Sequence, residues 1–221
     1  MTTILLARHG ESDWNRSHRW QGFTDRPLTD LGLRQAADLA ARLEETELNA
    51  VYSSDLQRAR VTAEIVARSK GLEVHATPDL REVDVGSWSG LTRAEAEARF
   101  PEGYDRWLQG GEGWADGETY GQLGSRVVKA IRQIAADHDG KRVLVVAHGG
   151  TLRAIHAAAL GVDIQTYRRI QPVEPNATLS AVVVEDGRLT ELSRPEDLDE
   201  FLIREQQRRR DAALRPPTPA G

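Results

Sequence analysis

A three-layer α/β/α sandwich on a mainly parallel sheet is the fold class that this chain of 221 residues predicts, and three observations carry it. Stretches of strand length alternate with stretches of helical periodicity, the rhythm of parallel βαβ units. Lys141-Arg-Val-Leu-Val-Val-Ala147 contains a continuous apolar run, which suits a strand covered on both faces. Two such strands end in histidine and glycine, at Arg8-His9-Gly10 and at His148-Gly149-Gly150. Open α/β sheets bind ligands in the crevice outside strand carboxyl ends.

The elements follow in order. Ile4 to Ala7 is the first strand, and the polar, aromatic stretch Trp14 to Pro27 is a loop leaving it. Thr29 or Asp30 caps a helix running to Glu44, with Leu33, Ala36, Ala40 and Leu43 on its inner face. Asn49 to Tyr52 is a short strand, and Ser53-Ser54-Asp55 caps a helix that buries Leu56, Ala59, Ala63 and Val66. Leu72 to Ala76 is a third strand, followed by an irregular, glycine-punctuated segment from Leu80 to Gly90. Thr92-x-x-Glu95 is a capping box for a helix that Pro101 ends, and Glu102 to Gly117, rich in Gly, Trp and acids, reads as an excursion from the sheet. Together with its flanks, about 88–121, it forms a lid insertion. Thr119-x-x-Gln122 opens a helix with Leu123, Val127, Ile131 and Ile134 facing inward. After the Lys141 strand, a helix begins at Thr151 and runs to Gly161. Thr178 to Val184 and Arg188 to Leu192 flank Glu185-Asp-Gly187 as a hairpin at the sheet edge. One domain covers residues 1–193, and 194–221 is a charged surface helix with a flexible tail.

Composition narrows the function. With 29 Lys+Arg against 34 Asp+Glu, the net charge of −5 offers no global basic field for nucleic acid or an anionic membrane. The run Arg208-Arg209-Arg210, beside Glu205 and Asp211, is read as a solvated helix face. No cysteine is present, which rules out disulfides, thiolate nucleophiles and cysteine metal sites, and fits a reducing compartment. The apolar run at the start is too short for a signal peptide or a membrane span, so a cytoplasmic protein is expected.

Arg8, His9 and Gly10 suggest phosphoryl chemistry on their own terms. Arginine forks two phosphate oxygens, histidine offers a nucleophilic nitrogen near neutral pH, and glycine lets the backbone approach an anion. Arg58 falls in the first turn of a helix after another strand, and helical side chains lean toward the helix N-terminus, so it aims back at the crevice. Neither a Walker loop nor a His-Glu-x-x-His run is present, so no metal and no cofactor are expected.

Arg8-His9-Gly10-Glu11-Ser12 with Asn15, Gln21-Gly22-x-x-Asp25-x-Pro27-Leu28-Thr29-x-x-Gly32, Ser53-x-Asp55-Leu56-x-Arg58-Ala59, Leu80-Arg81-Glu82 with Gly86-x-Trp88-x-Gly90, and Ala147-His148-Gly149-Gly150 occur in this order. Together they resemble the motifs of the histidine phosphatase superfamily, also called phosphoglycerate mutase-like, over roughly residues 3–192. The resemblance implies that His9 attacks phosphorus to form a phosphohistidine, while Arg8, Arg58 and His148 hold the equatorial oxygens. Glu82, which by spacing alone would be an ordinary loop acid, becomes the general acid and base. Ser12, Asn15, Gln21, Gly22 and Gly149 complete the substrate site.

Within that family, phosphatases give the phosphoryl group to water and mutases return it to a second position. Val-Asp-Val-Gly-Ser-Trp-Ser-Gly after Glu82 looks like the phosphatase version. Between Trp88 and Gly121 there are three cations (Arg93, Arg99, Arg106) and seven acids, a balance expected to repel a bisphosphate. Trp88, Trp107 and Trp114 either stack on a flat leaving group or pack the core. The expected activity is therefore a phosphatase acting on a small phosphomonoester, with a phosphoglycerate mutase as the alternative and a non-catalytic phosphate-binding module as the third reading. No nucleic acid or membrane partner is expected, and homodimerisation is left open.

Overall fold

The computed structural model describes residues 1–193; the charged helix and tail expected over 194–221 lie outside the described residues. Six strands are found: β1 (Thr2–Arg8), β2 (Ala50–Ser54), β3 (Val74–Thr77), β4 (Arg142–Ala147), β5 (Leu179–Glu185) and β6 (Arg188–Ser193). They form one sheet in the order β3-β2-β4-β1-β5-β6. The first four are mutually parallel, β5 is antiparallel to β1, and β6 is antiparallel to β5. The hairpin therefore lies at the edge, as the sequence predicts. Its turn residues Asp186 and Gly187 have φ of 49° and 74°, the left-handed pair that a tight hairpin needs.

Strand alternation divides the core in two. Leu5 and Ala7 of β1 with Leu144 and Val146 of β4 pack on one face, against α2 (Asp30–Arg42) and α3 (Gln57–Lys70). Ile4 and Leu6 with Val143, Val145 and Ala147 pack on the other, against α6 (Tyr120–Asp137) and α7 (Gly149–Leu160). Side chains along a strand point to opposite faces, so a run apolar at every position demands helices on both sides. The three-layer sandwich is the result. Among the described residues, no helix is long and apolar enough to cross a membrane.

Five local readings differ from the structure. The loop after β1 contains a one-turn helix, α1 (Asp13–Arg16), because Ser12 and Asn15 form a capping box with asparagine in place of the usual Glu or Gln. In α2 Leu33 is exposed, while Leu39 and Gly32 are buried; Leu33 lies at the margin of the stripe that Ala36, Leu39, Ala40 and Leu43 define. Ser53 and Ser54 end β2 rather than capping α3, and the first helical N–H, that of Gln57, is bonded instead by Asp25 Oδ1 at 2.7 Å. Pro101 does end α4 (Arg93–Arg99), but it also opens α5 (Pro101–Leu108) as its first residue, a position where proline's missing N–H costs nothing. A further helix, α8 (Ile164–Ile170), is capped by Asp163.

The excursion after β3 is held down by aromatic packing. Trp88 and Trp114 are buried, and Trp20 meets Trp88, Trp107 and Trp114 edge-on or at a steep tilt with ring centres 5.1–6.3 Å apart. For Trp88 and Trp114 core packing is thus the correct reading; Trp107 and Trp20 face a cavity.

Candidate active site

The carboxyl ends of β1 and β4, the start of α3 and the segment after β3 converge on one cavity. Arg8, His9, Asn15, Gln21, Arg58 and Glu82 are among the side chains on its wall. His9 is buried, and its Nδ1 lies 2.7 Å from the Gly10 carbonyl oxygen. A carbonyl only accepts, so Nδ1 carries the proton and Nε2 is left with its lone pair. Burial first, then the charges of Arg58 and Arg8, hold the His9 pKa well below 6.5, which keeps the ring neutral.

His148 stands behind His9, with ring centres 5.1 Å apart, rather than on the cavity wall. Its Nδ1 accepts from Arg58 Nε at 3.2 Å, which puts the proton on Nε2, a buried N–H with no partner of its own. Burial and Arg58 also push its pKa well below 6.5. Arg58 is itself 1% exposed. It donates to the carbonyls of Thr24 and Gly22, both at 2.9 Å, and burial lowers its pKa to about 10, so it remains charged at neutral pH. One guanidinium thus fixes both the second histidine and the loop carrying Gly22.

Glu82 is anchored by two backbone donors. Val83 N–H reaches Oε1 at 2.9 Å and Gly150 N–H, in the first turn of α7, reaches Oε2 at 3.0 Å. Arg126 braces the segment from behind, donating to the carbonyls of Asp79 at 2.8 Å and Arg81 at 3.2 Å and pairing with Glu118 at 2.7 Å. Arg81 is spent elsewhere, in a two-point pair with Asp55. Asn15 accepts through Oδ1 from Ser12 and Asn176, which leaves its NH₂ for the cavity that it lines. Arg8 donates to the Glu174 carbonyl at 2.6 Å, and its buried Nε has no partner.

The family model for the histidine phosphatase superfamily, branch 1, matches residues 4–197. The chain belongs to the histidine phosphatase superfamily. A metal-independent phosphoserine phosphatase of Arabidopsis thaliana is 44% identical over 166 residues, covering 71% of this chain and 68% of the relative. Phosphoserine phosphatase 1 of Hydrogenobacter thermophilus is 34% identical over 190 residues, 85% and 89% of the two chains. Phosphoglycerate mutase-like protein 4 of Arabidopsis thaliana is 39% identical over 166 residues, 71% and 70%. Among solved structures, YhfR of Bacillus stearothermophilus superposes with a TM-score of 0.83 at 32% identity, covering 88% of this chain and 97% of that one. On this kinship, the protein is a histidine phosphatase and a phosphoric monoester hydrolase.

Three residues expected in this histidine phosphatase's site stand behind its wall: Ser12, His148 and Gly149. Ser12 is wholly buried and bonds Gln21 and Asn15, so it shapes the wall without forming it. Gly149 lets Arg8 and Val173 pack against the α7 start. Gly10 is needed for another reason than an anion's approach: its N–H is given to Thr62, and a Cβ there would overlap the Gly32 carbonyl.

The sequence reading missed Arg19, Trp20, Tyr120, Arg153 and Arg168 on the cavity wall. It also missed Asn176, which donates to the His9 carbonyl at 2.8 Å. None of these lies in a motif: Arg19 and Trp20 stand in the loop after α1, Asn176 in the turn before β5, and Tyr120, Arg153 and Arg168 on α6, α7 and α8. Their presence also corrects the charge argument. Five arginines and one carboxylate, Glu82, line the cavity, whereas none of the seven acids of 88–121 does. Glu95 pairs with Arg19, Glu118 with Arg126, Glu112 accepts from Tyr120 N–H and Asp116 from Ser87. The segment's net charge therefore says nothing about the tolerance of the site for a bisphosphate.

Gly150 offers a test of the anchored carboxyl. A Cβ at this position would overlap Glu82 Oε1, and the carboxyl, at the end of a flexible chain, is what would yield. Gly150→Ala should lower kcat about 10²-fold, the cost of roughly 1 Å of misplacement. The melting temperature should hold or rise, because alanine favours a helix by up to about 1 kcal/mol. Parallel loss of activity and melting temperature would mean that the backbone, not Glu82, had moved.

Proposed function

We propose that this phosphatase hydrolyses a small phosphomonoester through a phosphohistidine on His9. The observation that carries the proposal is the Nδ1–H to Gly10 carbonyl bond, which frees Nε2 and directs it into the arginine-lined cavity. Nε2 attacks phosphorus in line as the ester P–O bond breaks, and protonated Glu82 gives its proton to the departing oxygen. Arg8 and Arg58 stabilise the charge on the equatorial oxygens, His148 holds the Arg58 guanidinium in place by accepting from its Nε, and Asn15, Gln21 and Gly22 add hydrogen bonds. Glu82, now a carboxylate, takes a proton from water. That water's oxygen attacks phosphorus, the P–N bond breaks, and His9 is restored as inorganic phosphate leaves.

Among the described residues, no cluster of three or more histidine, aspartate or glutamate side chains could hold a metal ion. The proposal runs on protein groups alone, in a cytoplasmic setting that the lack of cysteine suits. The names of two relatives make phosphoserine a first substrate to try, and 3-phosphoglycerate a second. The test is release of inorganic phosphate from a phosphomonoester panel, with and without EDTA, and rapid quenching without acid to trap labelled phosphate on His9. Phosphate release unchanged by EDTA is expected; a rate abolished by EDTA and restored by Mg²⁺ would contradict the proposal.

The mutase reading keeps one specific support, the five cavity arginines, together with the mutase-like relative. A coupled assay for 2-phosphoglycerate separates the two. Interconversion of phosphoglycerates that depends on 2,3-bisphosphoglycerate, with negligible phosphate release, would favour the mutase.

A further inference from the structure

The proposed chemistry uses Arg8 and Arg58, and Arg19 is paired with Glu95, which leaves two of the five cavity arginines without a task. Arg153 sits one turn into α7 beyond Gly149, and Arg168 lies on α8; both line the same cavity as His9 and Glu82. Arg153 gives Nη2 to the Gln171 carbonyl at 3.1 Å, while its buried Nε has no partner. Arg168 gives Nη1 to the Gly110 carbonyl at 2.9 Å and lies 4.4 Å from the Tyr120 ring centre and 5.6 Å from that of Trp107. Burial and the neighbouring Arg168 charge both lower the Arg153 pKa. Neither arginine makes an ion pair with an acidic side chain among the described residues: each spends its bonds on carbonyl oxygens.

Two half-buried like charges side by side cost free energy unless an anion joins them. A second chamber, lined by Arg93, Arg169, Trp107 and Pro172 with no acid on its wall, shares Arg153 and Arg168 with this cavity. The anion thus belongs to the leaving group, on the side away from His9.

Resting on the phosphatase reading, we propose that Arg153 and Arg168 form a specificity subsite for a carboxylate on the leaving alcohol. A carboxylate, planar with two oxygens and one charge, matches the paired N–H donors that each guanidinium keeps after giving one terminal nitrogen to a main-chain carbonyl; a second phosphate is the competing outcome that the test separates. The Trp107 and Tyr120 faces stack on the guanidinium of Arg168 and hold its plane.

The test compares matched esters. In the unaltered protein, 3-phosphoglycerate should exceed glycerol 1-phosphate, which has a CH₂OH in place of the carboxylate, by at least about tenfold in kcat/KM. Arg153→Gln and Arg168→Gln should each lower that ratio about tenfold, mainly through KM for the acid, and Arg168→Lys should recover part of it. An equal rate for the two esters in the unaltered protein, or a ratio untouched by both Gln variants, would overturn the subsite. Preference for a bisphosphate over the carboxylate ester would also overturn it, by assigning the arginines to phosphate. p-Nitrophenyl phosphate keeps this failure apart from failure of the phosphatase reading. Its hydrolysis with no carboxylate preference sinks only the subsite, while no hydrolysis of any ester sinks the reading beneath it.

Discussion

Replacing His9 by alanine is expected to lower kcat by about 10⁴-fold or more, the scale on which loss of a covalent nucleophile falls. Among the described residues, no second nucleophile is in place. His148, the only other imidazole nearby, has its Nδ1 held by Arg58 and stands behind His9. Substrate affinity should fall much less, because Arg8 and Arg58 keep their tethers to the Glu174, Thr24 and Gly22 carbonyls. Isothermal titration of the variant with an unreacted ester, beside quenched-flow kcat, separates the two. The same residue sets the acid side of the pH profile. Burial, Arg58 and Arg8 hold its pKa well below 6.5, so kcat/KM should rise with pH through that depressed value and have levelled by pH 6.5. Stability follows the same sign: below pH 6.5 the unfolded chain binds protons that buried His9 and His148 refuse, so the native state loses stability as pH falls toward their folded values. His156 opposes this. Burial works against its charge, but bonds to Glu174 and Glu191 outweigh it and raise its pKa, so its contribution is present below pH 6.5 and is lost as pH rises through the folded value. Wild-type turnover in His9→Ala, or an acid limb centred above pH 6.5, would remove His9 as the nucleophile.

What the sequence made legible divides by range. The strands at Thr2–Arg8 and Arg142–Ala147, the capped helices α4 and α6, and the turn at Asp186-Gly187 are local: their periodicity, caps and turn residues are written within a dozen positions. The motif residues His9, Arg58, Glu82 and His148 converge because three of them lie at or just beyond strand ends, which a parallel sheet brings together, and Glu82 follows a short turn after β3. By contrast, the cap on α3 comes from Asp25, 32 residues away, and Glu82 is fixed by Gly150 and Arg126 from distant helices. No window of sequence holds those pairings. Counting charge along 88–121 failed for the same reason: Glu95 and Glu118 were already paired with arginines outside the window, at Arg19 and Arg126.

Glu82→Gln should divide substrates by their leaving group. Glutamine can still accept from one backbone donor but turns its NH₂ toward the other, so either the Val83 or the Gly150 contact is lost, and the acid proton is gone in any case. For alkyl phosphates, whose alkoxide leaves poorly, kcat should drop by about 10² to 10⁴, the range for removal of a general acid. p-Nitrophenolate departs without a proton, so phosphorylation of His9 by p-nitrophenyl phosphate should be nearly as fast as in the unaltered protein. Hydrolysis of the phosphohistidine still needs a base for water, and that step now becomes limiting. Stopped-flow absorbance should therefore show a burst of about one p-nitrophenolate per site followed by slow turnover, with labelled phosphate retained on His9. In the unaltered protein the burst should be absent and the label only transient, caught by rapid quenching but lost within a turnover. Equal losses on alkyl and nitrophenyl esters, with no burst, would take Glu82 out of both proton transfers and leave it only the task of bracing the start of α7.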